Sequence, residues 1–234
     1  MIVQWLLASI KSNSTLLNNL QAYYKFESNL NDSVWSNNWT GTSITYWTGI
    51  IWNSWIFNGT TSKVLLWTDT CNFTGSFTIS VWVKFTSIGA YDVIFSNFNQ
   101  SPSGIAWYWF ICRINPSNQV EFNIYNDSQV LLSTTATVTT WTWYNIVFVR
   151  TSSTWSAIYI NWTSSVTNSS TFNPSYPTYS FHPSIWALEY FAWSYLNDQY
   201  INWNIDELWI WTRALTGTEI TELYNSWTWK THPF

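Results

Sequence analysis

Asn202–Asn225 reads NWNIDELWIWTRALTGTEITELYN and joins a strand to the one helix that this chain announces. Asn204–Trp211 is rich in Ile, Leu and Trp, the composition of a buried strand. Thr216 and Glu219 then form a T-x-x-E capping box, in which each side chain satisfies a backbone N–H at a helix start. Ile220, Leu223 and Tyr224 follow at helical spacing, so a short helix closes the chain and plugs onto the strands.

Upstream, the signal is β. In Ser76–Phe85, SFTISVWVKF, the residues Phe77, Ile79, Val81, Val83 and Phe85 alternate with Thr78, Ser80, Trp82 and Lys84. That period of two sends one set into a core and puts Trp82 on the opposite face. Further strands are expected at 22–27, 55–57, 63–66, 92–96, 108–114, 120–125, 144–150, 157–160, 184–190 and 204–211, separated by turn clusters in the manner of a sandwich or barrel. Residues 1–20 carry Leu6, Leu7, Ile10, Leu16, Leu17 and Leu20 around a polar stretch. We take 1–20 as an N-terminal lead-in segment that docks on a neighbouring subunit or module, and 21–234 as one domain.

Composition narrows the function. Only 9% of the 234 residues are charged, and 8 Lys and Arg against 12 Asp and Glu leave a net charge of −4. That balance argues against nucleic acid as a partner. No apolar run reaches the length of a membrane span, and the N-terminus lacks a positive region and a small-residue cleavage site, so neither membrane insertion nor a signal peptide is expected. Cys71 and Cys112 are the only cysteines, and free buried thiols are expected over a bridge.

Tryptophan stands where turns want glycine. The chain has 21 Trp and 7 Gly, although glycine averages about 7% of protein sequence. Trp follows Asn at 38–39, 161–162 and 202–203, where Asn-Gly would signal a hairpin. It also sits in polar clusters such as Ser33–Thr42 and Ser226–Thr231. Some uncultivated bacterial lineages and their phages decode UGA as glycine, and reading such codons as tryptophan would leave this pattern. Local context retains Trp82, Trp143 and Trp211 as true tryptophans and leaves eighteen as candidate glycines, with Trp5, Trp47 and Trp67 the most ambiguous. The competing reading is a real Trp-rich surface, an aromatic sugar-binding face.

Four stretches resemble the laminin G-like, concanavalin A-like lectin/glucanase family. Tyr23–Asp32 (YYKFESNLND) is similar to its opening strand and Asn/Asp loop, and Trp55–Val64 (WIFNGTTSKV) to its F-D/N-G segment. Ser76–Phe85, Trp143–Arg150 and Ile158–Trp162 resemble its central strands and Y-x-N-G hairpin. Asn202–Asn225 resembles its closing segment, with Trp162 and Trp203 where the family has glycine. The tail NSWTWKTHPF and the opening LLNNLQAYYKF are similar to such domains in phage virion proteins. The resemblance implies an all-β, two-sheet antiparallel jelly-roll β-sandwich, concanavalin A-like, with one short C-terminal helix. It also implies a structural calcium, for which Asp32, Asn58 and Asp206 lie in the three segments that resemble the metal-bearing region. Turn capping by Asn and Asp is the competing role for these three.

Catalysis finds little support in the residues. Glycosidases flank the scissile bond with two carboxylates, and the fold's hydrolases carry them as E-x-D-x-E or E-x-D-x-x-E along one strand. No such string is present, and Asp206-Glu207 is the only adjacent acidic pair. Strand neighbours point to opposite faces, so a structural tie from the last strand to a loop is the expected role of that pair. His182 and His232 stand beside proline in loop-like or terminal sequence. For sugar binding, Tyr91, Tyr108, Tyr125, Tyr190, Tyr195 and Tyr200 are available as platforms, and packing explains each equally well. The expected function is a non-catalytic recognition or adhesion module that binds a glycan or surface polymer, on a virion or at the cell surface. The alternatives are a structural decoration domain packed against neighbouring subunits, and a glycan hydrolase with an unrecognised site.

Overall fold

The computed structural model describes residues 15–65, 73, 75–89, 91–97, 109–126, 128–152, 154–169, 184–185 and 201–224. A 3₁₀ turn at Thr15–Leu17 precedes β1 (Leu20–Tyr24), β2 (Thr40–Thr42), β3 (Thr45–Thr48), β4 (Asn53–Ile56) and β5 (Lys63–Leu65). Then come β6 (Phe77–Phe85), β7 (Val93–Asn97), β8 (Trp109–Ile114), β9 (Gln119–Asn126) and β10 (Ser128–Thr137). The last strands are β11 (Trp143–Thr151), β12 (Trp155–Ile160), β13 (Thr163–Asn168), β14 (Ser184–Ile185) and β15 (Trp203–Trp211), before helix α1 (Gly217–Tyr224).

The strands form two antiparallel sheets. The first runs β13-β12-β11-β6-β15-β4-β3, with β1 also paired to β15; the second runs β10-β9-β8-β7-β14-β5-β2. Between them lies the main core. The alternation expected in β6 puts Phe77, Ile79, Val81, Val83 and Phe85 there, facing Phe110, Phe122 and Ile124 of the second sheet. These are the two layers of a jelly-roll sandwich.

A second core covers the other face of the first sheet. Tyr23, Val147, Val149, Trp209 and Trp211 pack there against Leu16, Leu215, Ile220 and Leu223. Both faces of β6 and β15 are therefore buried, and Trp82, placed on that far face, lies beneath the stacked ring of Tyr224. The capping box forms as its sequence predicts. Glu219 Oε2 accepts the Thr216 N–H at 2.9 Å, and Thr216 Oγ1 accepts the Glu219 N–H at 3.2 Å.

The last residues of the lead-in segment pack on the strands. Leu16 is fully buried, Trp211 Nε1 donates to its carbonyl at 2.7 Å, and Arg213 donates to the carbonyls of Thr15 and Asn18. Residues 15–20 dock on their own domain; 1–14 lie outside the described residues. Four strands, β2, β3, β10 and β13, were not anticipated, because their Ser and Thr residues resemble turn clusters. Cys112 is a buried free thiol whose pKa burial raises; Cys71 lies outside the described residues.

The tryptophans divide by backbone. Trp52, Trp141 and Trp162 hold φ of 53°, 64° and 62°, the left-handed region that a bulky side chain rarely enters. All three are exposed, at 79%, 69% and 39%. Asn161 and Trp162 form the two-residue loop between β12 and β13 with both φ positive, as an Asn-Gly hairpin would. The other two Asn-Trp pairs are not turns of that kind. Trp203 opens β15 fully buried, and Trp39 is buried against Tyr24 with ring centroids 3.4 Å apart. The indole N–H groups of Trp39 and Trp55 are buried without acceptors, whereas Trp203 Nε1 reaches the Ser87 carbonyl at 2.9 Å.

Candidate functional site

The second sheet places polar side chains on its outer face by alternation. On β9 the core takes Val120, Phe122 and Ile124, which turns Gln119, Glu121 and Asn123 outward. On β8 it takes Phe110, Cys112 and Ile114, which turns Arg113 outward. Arg113 and Glu121 are directly opposed across the ladder, and their side chains pair at 2.7 Å. Asn115 Nδ2 donates to Glu121 Oε1 at 3.0 Å and to Gln119 Oε1 at 3.1 Å.

Tyr91 completes this group. It sits just before β7, its ring lies 4.4 Å from the Arg113 guanidinium, and it is 42% exposed. A guanidinium held by a buried carboxylate thus fixes an accessible aromatic ring. Two residues along β9 from Glu121, Asn123 Oδ1 is buried without a donor. An exposed ring near the partly exposed amide of Gln119 can stack on and hydrogen-bond a polyhydroxylated ligand. Of the tyrosines singled out in the sequence, Tyr91 belongs to this group, and Tyr125 has its place on β9. Tyr108, Tyr190, Tyr195 and Tyr200 lie outside the described residues, as do His182 and His232.

The three residues expected for calcium all accept main-chain N–H groups. Asp32 Oδ1 accepts the N–H groups of Tyr23 and Val34 at 3.1 and 2.9 Å, and Oδ2 accepts Trp35 N–H and Asn37 Nδ2 at 3.2 Å each. Asn58 Oδ1 accepts the N–H groups of Thr60, Thr61 and Ser62. Asp206 Oδ2 accepts those of Ile50 and Ile51 at 2.8 and 3.1 Å, and Oδ1 that of Glu207. Asp32 and Asn58 cap their own turns, Asp206 caps the turn between β3 and β4, and the three share no hydrogen-bond partner.

Asp206 does tie the last strand to a loop, the turn between β3 and β4. Gly49 is obligatory there, since a Cβ would collide with Asp206 Oδ2 and the Asn53 carbonyl. Glu207 departs from simple strand alternation. The β15–β6 register slips between Asp206 and Trp209, Glu207 adopts φ 49°, and its carboxylate accepts the Tyr23 hydroxyl. Burial, then the charge of Glu207, pushes Asp206 up to about 9 against the opposing amides of Ile51 and Ile50. Burial likewise pushes Glu207 up to about 8, against the Tyr23 hydrogen bond. Sequence reasoning missed Arg113, Glu121 and Asn115. The available signal was an opposite-charge pair set among alternating apolar residues on two consecutive strands, FICRI and QVEFNI.

Residues 57–221 match the family model Laminin_G_3, described as the concanavalin A-like lectin/glucanases superfamily. No curated protein matches the chain. Among solved structures it is similar to domain 4 of AbnA, an extracellular GH43 arabinanase from Geobacillus stearothermophilus in complex with arabinotriose. That match has a TM-score of 0.71 and 19% identity, over 88% of this chain and 98% of the other. It is also similar to the binding domain of Paraclostridial Mosquitocidal Protein 1, with a TM-score of 0.71 and 17% identity over 91% of this chain. A third likeness, at TM-score 0.66 and 15% identity over 95% of this chain, is to botulinum neurotoxin type C, whose cell entry depends on two ganglioside molecules. The match spans 53% of each toxin chain. At these identities the likeness establishes the sandwich alone. Among the described residues no helix is long and apolar enough to cross a membrane.

Proposed function

We propose that this chain, which belongs to the concanavalin A-like lectin/glucanase superfamily, is a non-catalytic recognition module that binds a glycan or surface polymer. One observation carries the reading: Tyr91, exposed and held on Arg113 by the Arg113–Glu121 pair, at the outer face of the second sheet. Its ring is the stacking platform, and Gln119 and Asn115 supply hydrogen-bonding groups beside it. The arabinotriose-bound relative and the ganglioside-dependent toxin support a sugar ligand. The resemblance of both chain ends to phage virion proteins supports display on a virion or cell surface, beside other subunits.

The test is a glycan array probed with the whole protein, followed by titration of the best ligand. Saturable binding weakened at least tenfold by Tyr91→Ala is the expected result. Binding that is unchanged in Tyr91→Ala removes this face as the site, and no saturable glycan at all removes the recognition reading.

Two further parts of the reading concern the chain itself. Glycine at Trp52, Trp141 and Trp162 is supported by their positive φ and exposure, and the decoding of UGA as glycine accounts for it. A structural calcium, implied by the family resemblance, would bind only the folded form and raise its melting temperature. No rise in millimolar calcium would remove the ion.

A further inference from the structure

The polarity of the group around Arg113 is set from the main chain outward. Asn115 Oδ1 accepts the N–H groups of Ser117 and Gln119 at 2.9 and 3.0 Å. Its Nδ2 is therefore the end that faces Glu121, Gln119 and Ser133. A donor on that side requires an acceptor opposite, which turns Gln119 Oε1 inward, where it also accepts the Ser133 hydroxyl at 3.4 Å. The other end of the same amide, Nε2, is thereby turned away from the network, on a side chain that is partly exposed.

Glu121 is occupied on both sides. Its Oε1 accepts Asn115 Nδ2, its Oε2 accepts Arg113 Nε, and it is buried. The Nη groups of Arg113 and the Nε2 group of Gln119 donate to no described residue. What the group shows to solvent is therefore a set of N–H donors, while its carboxylate has both oxygens filled. Tyr91 and Gln119 stand at the same end of β7, β8 and β9, since the Asp92 carbonyl accepts the Ile114 N–H and Asn115 exchanges main-chain bonds with the start of β9. Two strand spacings separate them, about 10 Å in all, a reach longer than one sugar ring.

We infer that this face selects its glycan for a carbonyl or carboxylate oxygen, to which Gln119 Nε2 and the Arg113 Nη groups donate while Tyr91 stacks on a neighbouring sugar ring. Such an oxygen brings lone pairs and no hydrogen, so it answers a set of donors better than a hydroxyl, which must also place its own proton. The acetamido group of an N-acetylated sugar and the carboxylate of a uronic acid carry this same chemistry. Gln119 is then a specificity-determining residue, and Asn115 and Ser133 position it. The selection rests on the glycan-binding reading of the same face and adds which functional group is read, and by which atoms.

The test titrates the whole protein with chitotetraose, tetragalacturonate and cellotetraose, which carry acetamido groups, carboxylates and hydroxyls alone. At least tenfold tighter binding of chitotetraose or tetragalacturonate than of cellotetraose is expected, and the tighter of the two identifies the source of the oxygen. Gln119→Glu keeps an inward oxygen for Asn115 and Ser133 and replaces only the outward NH₂ by an acceptor. It should reduce the preference to about onefold, with circular dichroism to verify the fold; Gln119→Leu, which removes the donor outright, decides where Gln119→Glu fails to fold. A preference kept in the variant overturns the selection, as does cellotetraose binding as tightly as the other two, or no binding of any of the three. Tyr91→Ala separates this from the reading on which it rests. If it weakens binding while the Gln119 variants keep the preference, the site stands and the selection falls; binding unchanged in Tyr91→Ala removes both.

Discussion

Asn161 and Trp162 hold successive left-handed conformations, φ 48° and 62°, and are the whole connection between β12 and β13. Only glycine enters that region without its Cβ meeting the backbone. Forcing a bulky residue into it costs about 1–3 kcal/mol. Trp162→Gly loses the ring contact with Tyr224 at 4.1 Å, so a net gain on the order of 1 kcal/mol is expected. Trp52→Gly and Trp141→Gly give up less, because those rings are mostly in solvent. Urea unfolding midpoints check all three, and a drop in each would contradict the glycine reading.

Trp211 should behave in the opposite way. It is fully buried in the second core, and its indole N–H reaches the Leu16 carbonyl. Trp211→Gly is expected to cost about 3–5 kcal/mol or to abolish folding. Peptide mapping of the protein from its native source should accordingly find glycine at 52, 141 and 162 and tryptophan at 211.

Glu219 sets a lower pH limit. Burial works to raise it, but hydrogen bonds from Arg213, Thr15 and Thr216 overcome this and hold it down at about 2. The folded form therefore favours the charged carboxylate more than the unfolded chain does. That stability is fully present above the ordinary carboxylate range and is lost as pH falls from about 4.5 towards 2. Glu219→Gln should cost on the order of 1–2 kcal/mol at neutral pH and flatten the acid limb of the stability profile. A profile identical to that of the parent would refute the assignment.

Tyr91 and Arg113 should separate binding from stability. Tyr91→Ala removes an exposed ring and is expected to lower glycan affinity while leaving the melting temperature nearly unchanged. Arg113→Ala leaves Glu121, 6% exposed, without its cation and should cost about 1–3 kcal/mol as well as affinity. Equal loss of stability in both variants would make Tyr91 a packing residue.

How much was legible follows from how locally each feature is encoded. Both Ser76–Phe85 and the Thr216–Glu219 box carry their patterns within ten residues, and both formed where expected. Strand β10, SQVLLSTTAT, did not announce itself, because its Ser and Thr residues mimic turn chemistry. Asn58 and Asp32 were legible as turn residues, yet no spacing rule revealed that their turns are self-contained. The Arg113–Glu121 pair depends on cross-strand register, and the Tyr23–Glu207 hydrogen bond on the pairing of the first strand with the last. Such meetings are long-range in sequence and become visible only in the folded chain.

The pairing of the first strand with the last also decides how the domain bears load. Leu20 pairs with Trp211, so the outer ends of β1 and β15 lie at one end of a shared antiparallel ladder. A pull between residues 15 and 224 would therefore unzip that ladder one pair at a time instead of shearing every bond at once. Before the first pair parts, it must break the knot of Arg213 and Glu219 on Thr15. Under tension, those three residues are the latch, and the rest of the sandwich is shielded while it holds.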